Sequence, residues 1–173
     1  MSGTGEKMEK LRQVSLFKDV KEDYNAMYKI AGCFNDIRKS AGEDVIKEGE
    51  EKGDSLYVIN RGRVEILKTT LRKEPYTVFI MTGEENGFFG EVGLLDPDKR
   101  SATVRCIDDC EFYVLNRDNF ESFGDEFPEA GLTLTRELSR IVCRRLRKAN
   151  SDIITLFGAL VNEVEEAGGI EEK

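Results

Sequence analysis

Between Phe34 and Leu115 the chain is punctuated by glycine: Gly42, Gly49, Gly53, Gly62, Gly83, Gly87, Gly90 and Gly93 all fall in this stretch. Glycine supplies turns and close backbone approaches, and it weakens the interior of a helix. The residues between the glycines alternate. Leu56 and Val58 alternate first, then Val64 and Ile66 after a turn at Arg61-Gly62, a weak hairpin signal. The segments "YTVFIMT", "SATVRCI" and "CEFYVLN" read as further strands, the last two joined through "DD". Many short strands with glycine-rich turns point to a jelly roll or small barrel and away from βαβ units.

The flanks read differently. Residues 1–10 look like a flexible N-terminus, and "MEKLRQVSLFKDVKEDYNAMYKIAGCF" carries helix-like spacing in short pieces. After Asp118 the pattern is helical again. "NFESFGDEFPEAG" gives one or two short turns, and Pro128 suits the first turn of a new helix. A long helix fits Ala130 to about Glu166, with Asn150-Ser151 or Gly158 as points of interruption. Val142, Leu146, Ala149, Ile153, Leu156 and Leu160 lie at successive spacings of 4, 3, 4, 3 and 4 along it. That is heptad spacing, either a stripe packed on the protein's own barrel or a seam with a second copy. The fold expected is mainly β, a jelly-roll (β-roll) flanked by N-terminal helices and a long C-terminal helix.

Composition limits the chemistry. The 173 residues suit one domain with a terminal extension, and a net charge of -8 does not favour nucleic acid or an anionic membrane. Arg136–Lys148 is a local exception, with six bases and one acid, and reads first as a solvated helical face. No stretch is apolar enough to span a bilayer, and "MSGTGEKMEK" lacks the core of a signal peptide, so the cytoplasm is expected. With no histidine in the chain, histidine acid–base catalysis and histidine-ligated metals are excluded. The four cysteines, Cys33, Cys106, Cys110 and Cys143, have no zinc or redox spacing and read as structural thiols.

One stretch carries ligand chemistry: "FFGEVGLLDPDKRSATVR", Phe88 to Arg105. Gly87 and Gly90 bracket Phe88 and Phe89, and Gly90 lets backbone approach something closely. A short helix starting near Glu91 would offer N–H groups to an anion. Arg100, after the loop "DPDK", can fold back with a guanidinium fork that matches two phosphate oxygens, and Ser101 and Ala102 add a hydroxyl and a backbone donor. Glu91 is repelled by phosphate unless it accepts a hydrogen bond from a ligand hydroxyl. A sugar phosphate with one free hydroxyl satisfies all of these. An ordinary loop with the same residues is the plainer alternative from spacing alone.

The strings "FGEVGLL" and "RSATV" closely resemble the phosphate-binding cassette of cyclic nucleotide-binding domains. Leu16-Phe17, Ala41 to Ile66 and Cys110 to Phe120 fit the same family in order, so the resemblance spans about Leu11 to Asn150. It implies a domain over 11–150 that includes the first part of the C-terminal helix, followed by a helix extension and acidic tail over 151–173. It implies that Glu91 binds a ribose 2'-hydroxyl beside the Gly90 and Val92 backbone, and that Arg100 clamps the cyclic phosphate with Ser101 and Ala102. Gly49, Gly53 and Gly62 correspond to turns of the roll. The Thr-Ser pair that reaches adenine in the catabolite activator falls on Ala149 and Asn150, so both hydroxyls are absent and Asn150 is left to face the base. Ser101, where cGMP-preferring domains tend to carry threonine, leans toward cAMP over cGMP. No cofactor is implied.

Two functions follow as expectations. One is a non-enzymatic cyclic nucleotide sensor acting through closure of the C-terminal helix, or through dimer geometry, on a further protein. The other is a protein–protein interaction module whose pocket is silent. A transcription regulator within this chain is disfavoured, because only a glutamate-glycine tail follows the long helix and no DNA-reading helix is left to assign.

Overall fold

In a computed structural model, residues 3–168 are described apart from 52, 71 and 97, with side chains to residue 164. The expected acidic tail beyond residue 168 lies outside the described residues. The chain divides into two compact units, residues 1–137 and 138–173. The boundary expected from the sequence lies at residue 150.

The first unit opens with helix α1, Thr4–Gln13, where a flexible terminus was expected. Its anchor is a lysine. Lys7 is buried, donates from Nζ to the Phe34 carbonyl at 2.7 Å, pairs with Asp36 at 3.2 Å and lies over the Tyr113 ring. Met8 and Leu11 are buried on the same helix. A charge at the start of a polar segment reads as solvated. Here its alkyl stem is packed and its head is paired, and the helix is held. A 3-10 turn at Ser15–Phe17 and helix α2, Tyr24–Gly32, follow. Asp23 caps α2 by accepting from the Ala26 N–H at 3.0 Å.

Eight strands come next: β1 Asn35–Lys39, β2 Asp44–Ile46, β3 Ser55–Arg61, β4 Arg63–Thr69, β5 Pro75–Thr82, β6 Phe88–Phe89, β7 Thr103–Cys106 and β8 Cys110–Asn116. They form two four-stranded sheets, ordered β1-β8-β3-β6 and β2-β7-β4-β5, with every pairing antiparallel. This is the expected β-roll with helices at both ends. The hairpin expected at Arg61-Gly62 is not one. β3 and β4 belong to different sheets, as do β7 and β8. At Gly62 the chain turns the corner between them with φ of 93°, and a Cβ there would meet Cys110 Sγ at 2.6 Å and the Asp109 carbonyl at 2.8 Å. The two crossovers therefore touch, and only glycine passes.

The core lies on both faces of β3. Leu56 and Val58 pair with Leu115 and Tyr113, on the face that Lys7 of α1 covers. Tyr57 and Ile59 turn the other way, into a cluster with Phe89, Phe112, Val64 and Val104. Phe17, Phe34, Phe112 and Phe123 are almost wholly buried, each contributing about 1.5–3 kcal/mol. Helix α3, Glu91–Leu95, interrupts the strands. Helix α4, Arg117–Glu126, is capped by Asn116 accepting from the Asn119 N–H at 2.8 Å. It is a full helix where short turns were expected.

Helix α5 runs unbroken from Pro128 to Gly168, through both positions where an interruption was expected. Its first ten residues belong to the first unit, where Glu137 is fully buried and Lys18 pairs with it at 2.9 Å. In the second unit, Leu146, Ile153, Leu156 and Leu160 are all more than half exposed, so most of the heptad stripe stands free in this chain. No helix among the described residues is long and apolar enough to cross a membrane.

Candidate functional site

The cassette begins where β6 ends. Phe88 and Phe89 pair with Val58 and Tyr57 of β3, and both phenylalanines are buried. Gly90 then caps α3 in the left-handed region, φ 79° and ψ 12°, which turns the chain at once into the helix. A Cβ at Gly90 would come within 2.5 Å of the Ser55 carbonyl, so the turn is pressed against β3. Glu91, the first residue of α3, is buried, with 5% of its surface exposed. Val92, next to it, is 44% exposed and contributes backbone more than packing.

Arg100 folds back over this turn. Its Nη2 donates to the Ser55 carbonyl at 3.0 Å, and its guanidinium lies 5.9 Å from the centre of the Tyr57 ring. Tyr57 is itself stacked on Phe89, with centroids 5.1 Å apart and planes 5° apart. Phe89, picked from the sequence as a site residue, thus acts from beneath: it carries the ring on which Arg100 rests. Burial pushes the Tyr57 phenol above its ordinary value, opposed by the Arg100 charge.

Three glycines make room for that arginine. A Cβ at Gly53 would lie 2.2 Å from Arg100 Nε, one at Gly93 would lie 2.8 Å from Nη1, and one at Gly90 would lie 3.2 Å from Nη1. Gly53, expected as a turn glycine of the roll, is therefore a different case. Gly49 and Gly62 do have positive φ, but Gly53 is not among the positive-φ glycines, and its missing side chain serves the Arg100 stem. The Arg100 backbone is fixed as well, its N–H donating to the Glu50 carbonyl and its carbonyl accepting from the Gly49 N–H.

Ser101 is exposed and Ala102 half-buried at the entry to β7. Lys68 Nζ donates to the Ser101 carbonyl and pairs with Glu48 at 3.0 Å, and the Glu48 carboxyl is held below its ordinary range, chiefly by that lysine. Glu91, Gly90, Phe89 and Arg100 are thus drawn together around one turn, with Ser101 and Ala102 following in the chain. Asn150 lies in the second unit and is exposed on α5.

Sequence reasoning passed over Tyr57, Ser55, Gly93 and Arg117. The alternation of Leu56 and Val58 already set Tyr57 on the opposite face, which was the available signal for it. Nothing local marked Arg117, which donates from Nη2 to the Gly93 carbonyl at 2.6 Å.

An open cleft of about 1260 Å³ lies among Lys10, Arg38, Arg61, Arg63, Asp108 and Glu111, and no cassette residue lines it. Arg63 pairs there with Asp108 at 2.7 Å and Arg38 with Glu111 at 3.2 Å. It is a groove of opposed surface charges.

Residues 37–127 match the family model described as the cyclic nucleotide-binding domain. A CRP-like cAMP-activated global transcriptional regulator of Mycobacterium tuberculosis is 30% identical over 67% of this chain and 49% of its own length. Human cGMP-dependent protein kinase 2 is 31% identical over 69% of this chain and 15% of its own. The chain therefore spans half or less of these curated relatives. A crystal structure of a cyclic nucleotide-binding domain from Methylobacillus flagellatus superposes with a TM-score of 0.73, at 21% identity, covering 88% of this chain and 83% of that one. With the family match spanning just over half of the residues and the roll, cassette and flanking helices in place, the chain belongs to the cyclic nucleotide-binding domain family.

Proposed function

We propose that this protein is a non-enzymatic cyclic nucleotide sensor with cAMP as its ligand, acting through α5 on a further protein. One observation carries the reading: a buried glutamate and a glycine-sleeved arginine flank the same left-handed turn. A guanidinium fork matches the two exocyclic oxygens of a cyclic phosphate. Glu91, in the same turn, is repelled by that phosphate unless it accepts from a neighbouring hydroxyl, and the ribose 2'-hydroxyl is such a group. The Gly90 and Val92 backbone lines the ribose side, and Ser101 and Ala102 the phosphate side. By the family resemblance, in which cGMP-preferring domains tend to carry threonine at this position, Ser101 leans toward cAMP. Of the two relatives above, the mycobacterial one is named as cAMP-activated and the human kinase as cGMP-dependent.

For output, the exposed stripe of Leu146, Ile153, Leu156 and Leu160 supports a seam between two copies, whose geometry the nucleotide alters as α5 closes over the base. Asn150 then offers its amide to the purine edge. The sensor acts in the cytoplasm and needs no cofactor.

Calorimetry with cAMP and cGMP tests this directly. Wild type is expected to bind cAMP in the micromolar range or tighter. Arg100→Ala removes the phosphate's charged partner and weakens binding by about 2–5 kcal/mol. Absence of heat with either nucleotide would retire the sensor in favour of an interaction module with a silent pocket. Hydrodynamic mass with and without cAMP tests the output, and an unchanged monomer would remove the seam.

A further inference from the structure

Arg117 stands where β8 gives way to α4, and it holds both walls of the groove in which Arg100 lies. Its backbone N–H donates to the Asp54 carbonyl at 2.9 Å, one residue before the Ser55 carbonyl that accepts from Arg100. Its Nη2 reaches the Gly93 carbonyl, midway along α3, at 2.6 Å. One residue therefore ties the segment at 53–55 to the helix that carries Glu91.

The gap between those walls has no slack. A Cβ at Gly93 would lie 2.2 Å from the Gly53 carbonyl oxygen and 2.8 Å from Arg100 Nη1. Sliding α3 along the 53–55 segment changes where the Arg100 fork points and how far Glu91 stands from it. Arg117 is also costly to keep, because its Nε is buried with no hydrogen-bond partner among the described residues. A guanidinium retained with an orphan N–H, on a carbonyl that a single donor would satisfy, marks a place where geometry is specified.

We propose that Arg117 is a positioning residue for nucleotide binding. It makes no contact with the ligand and sets the spacing between α3 and the 53–55 segment, so that Glu91 and Arg100 meet ribose and phosphate together. The inference rests on the nucleotide reading above.

The test uses the full chain with Arg117→Met, which keeps the stem and removes the donors, and Arg117→Lys, which restores one donor. Loss of a charge-assisted hydrogen bond that aligns the site is expected to weaken cAMP binding about tenfold or more in Arg117→Met, with Arg117→Lys recovering most of it. In amide proton–nitrogen spectra of the free protein, Gly90 and Gly93 shift in Arg117→Met, while Gly42, Gly49 and Gly62 stay in place. A merely structural role would move all five or none.

If Arg117→Met binds cAMP like wild type, or the Gly90 and Gly93 signals do not move, the positioning role is wrong. If Arg117→Met fails to fold, Arg117→Lys and Arg117→Gln carry the same comparison, and equal affinity in both with unmoved glycine signals overturns it. A wild-type chain that binds neither nucleotide sinks the sensor and this inference together. A wild type that binds, alongside an Arg117→Met that binds equally, sinks this inference alone.

Discussion

The cassette and the second unit's stretch of α5 use the same residue types in opposite ways. Around Gly90 each glycine is pressed against a neighbour's backbone or against Arg100, and Glu91 is buried. Farther along α5, beyond the buried Leu138 and Ile141, Gly158 has nothing among the described residues within 4 Å of where a Cβ would be, and Leu146, Ile153, Ile154, Leu156 and Leu160 lie open. One region is fixed by what surrounds it. From Leu146 on, the other rests on its own helical hydrogen bonds and an i,i+4 pair between Lys148 and Asp152, so its exposed apolar face is left for a partner or a movement to cover.

Adding a methyl group separates the two regions most sharply. Gly93→Ala drives a Cβ to within 2.2 Å of the Gly53 carbonyl, backbone against backbone, and neither side can rotate away. It is expected to destabilise the first unit by about 3 kcal/mol and to weaken nucleotide binding with it. Gly158→Ala meets no obstacle in the helix and is expected to stabilise α5 by about 0.5–1 kcal/mol. Denaturant melts of both variants check the pair. If both variants shift stability in the same direction, the contrast between a packed cassette and an open helix is broken.

A smaller change probes the ribose end alone. Glu91→Gln keeps the shape and an acceptor oxygen but removes the charge, so the hydrogen bond to the 2'-hydroxyl weakens by about 1 kcal/mol. Binding of cAMP should fall accordingly, while binding of 2'-deoxy-cAMP, which lacks the hydroxyl, should not. Equal losses for the two ligands would detach Glu91 from the ribose and leave its burial as packing.

The same contrast explains what could be read from the residues. Strands, the cassette and the long helix were legible because periodicity and the "FGEVGLL" and "RSATV" strings are local. The crossover at Gly62 was not. A two-strand alternation around a glycine looks the same whether the strands pair or part, and the choice is made by Cys110 and Asp109, nearly fifty residues on. Gly53 and Arg117 were missed for the same reason, since one is defined by the Arg100 stem and the other by the Gly93 carbonyl. Lys7 reads as a solvated charge until Phe34 and Asp36 close around it.

Asn150 is the smallest of these tests, and it decides whether the base end belongs to this chain's own helix. Its side chain is exposed, so Asn150→Ala should leave stability within about 0.5 kcal/mol. If its amide meets the purine edge when nucleotide binds, one neutral hydrogen bond is lost, about 0.5 kcal/mol in a site open to water. The direction of the effect matters more than its size. Adenine offers an amino donor where guanine offers a carbonyl acceptor, and an asparagine amide held in one orientation serves only one of them. Losing it should therefore change the affinities for cAMP and cGMP unequally, and their ratio is read by competition against a fluorescent nucleotide. A ratio that stays constant within error would mean that the base is held by backbone or by shape, with recognition confined to the packed cassette and α5 left to its apolar stripe.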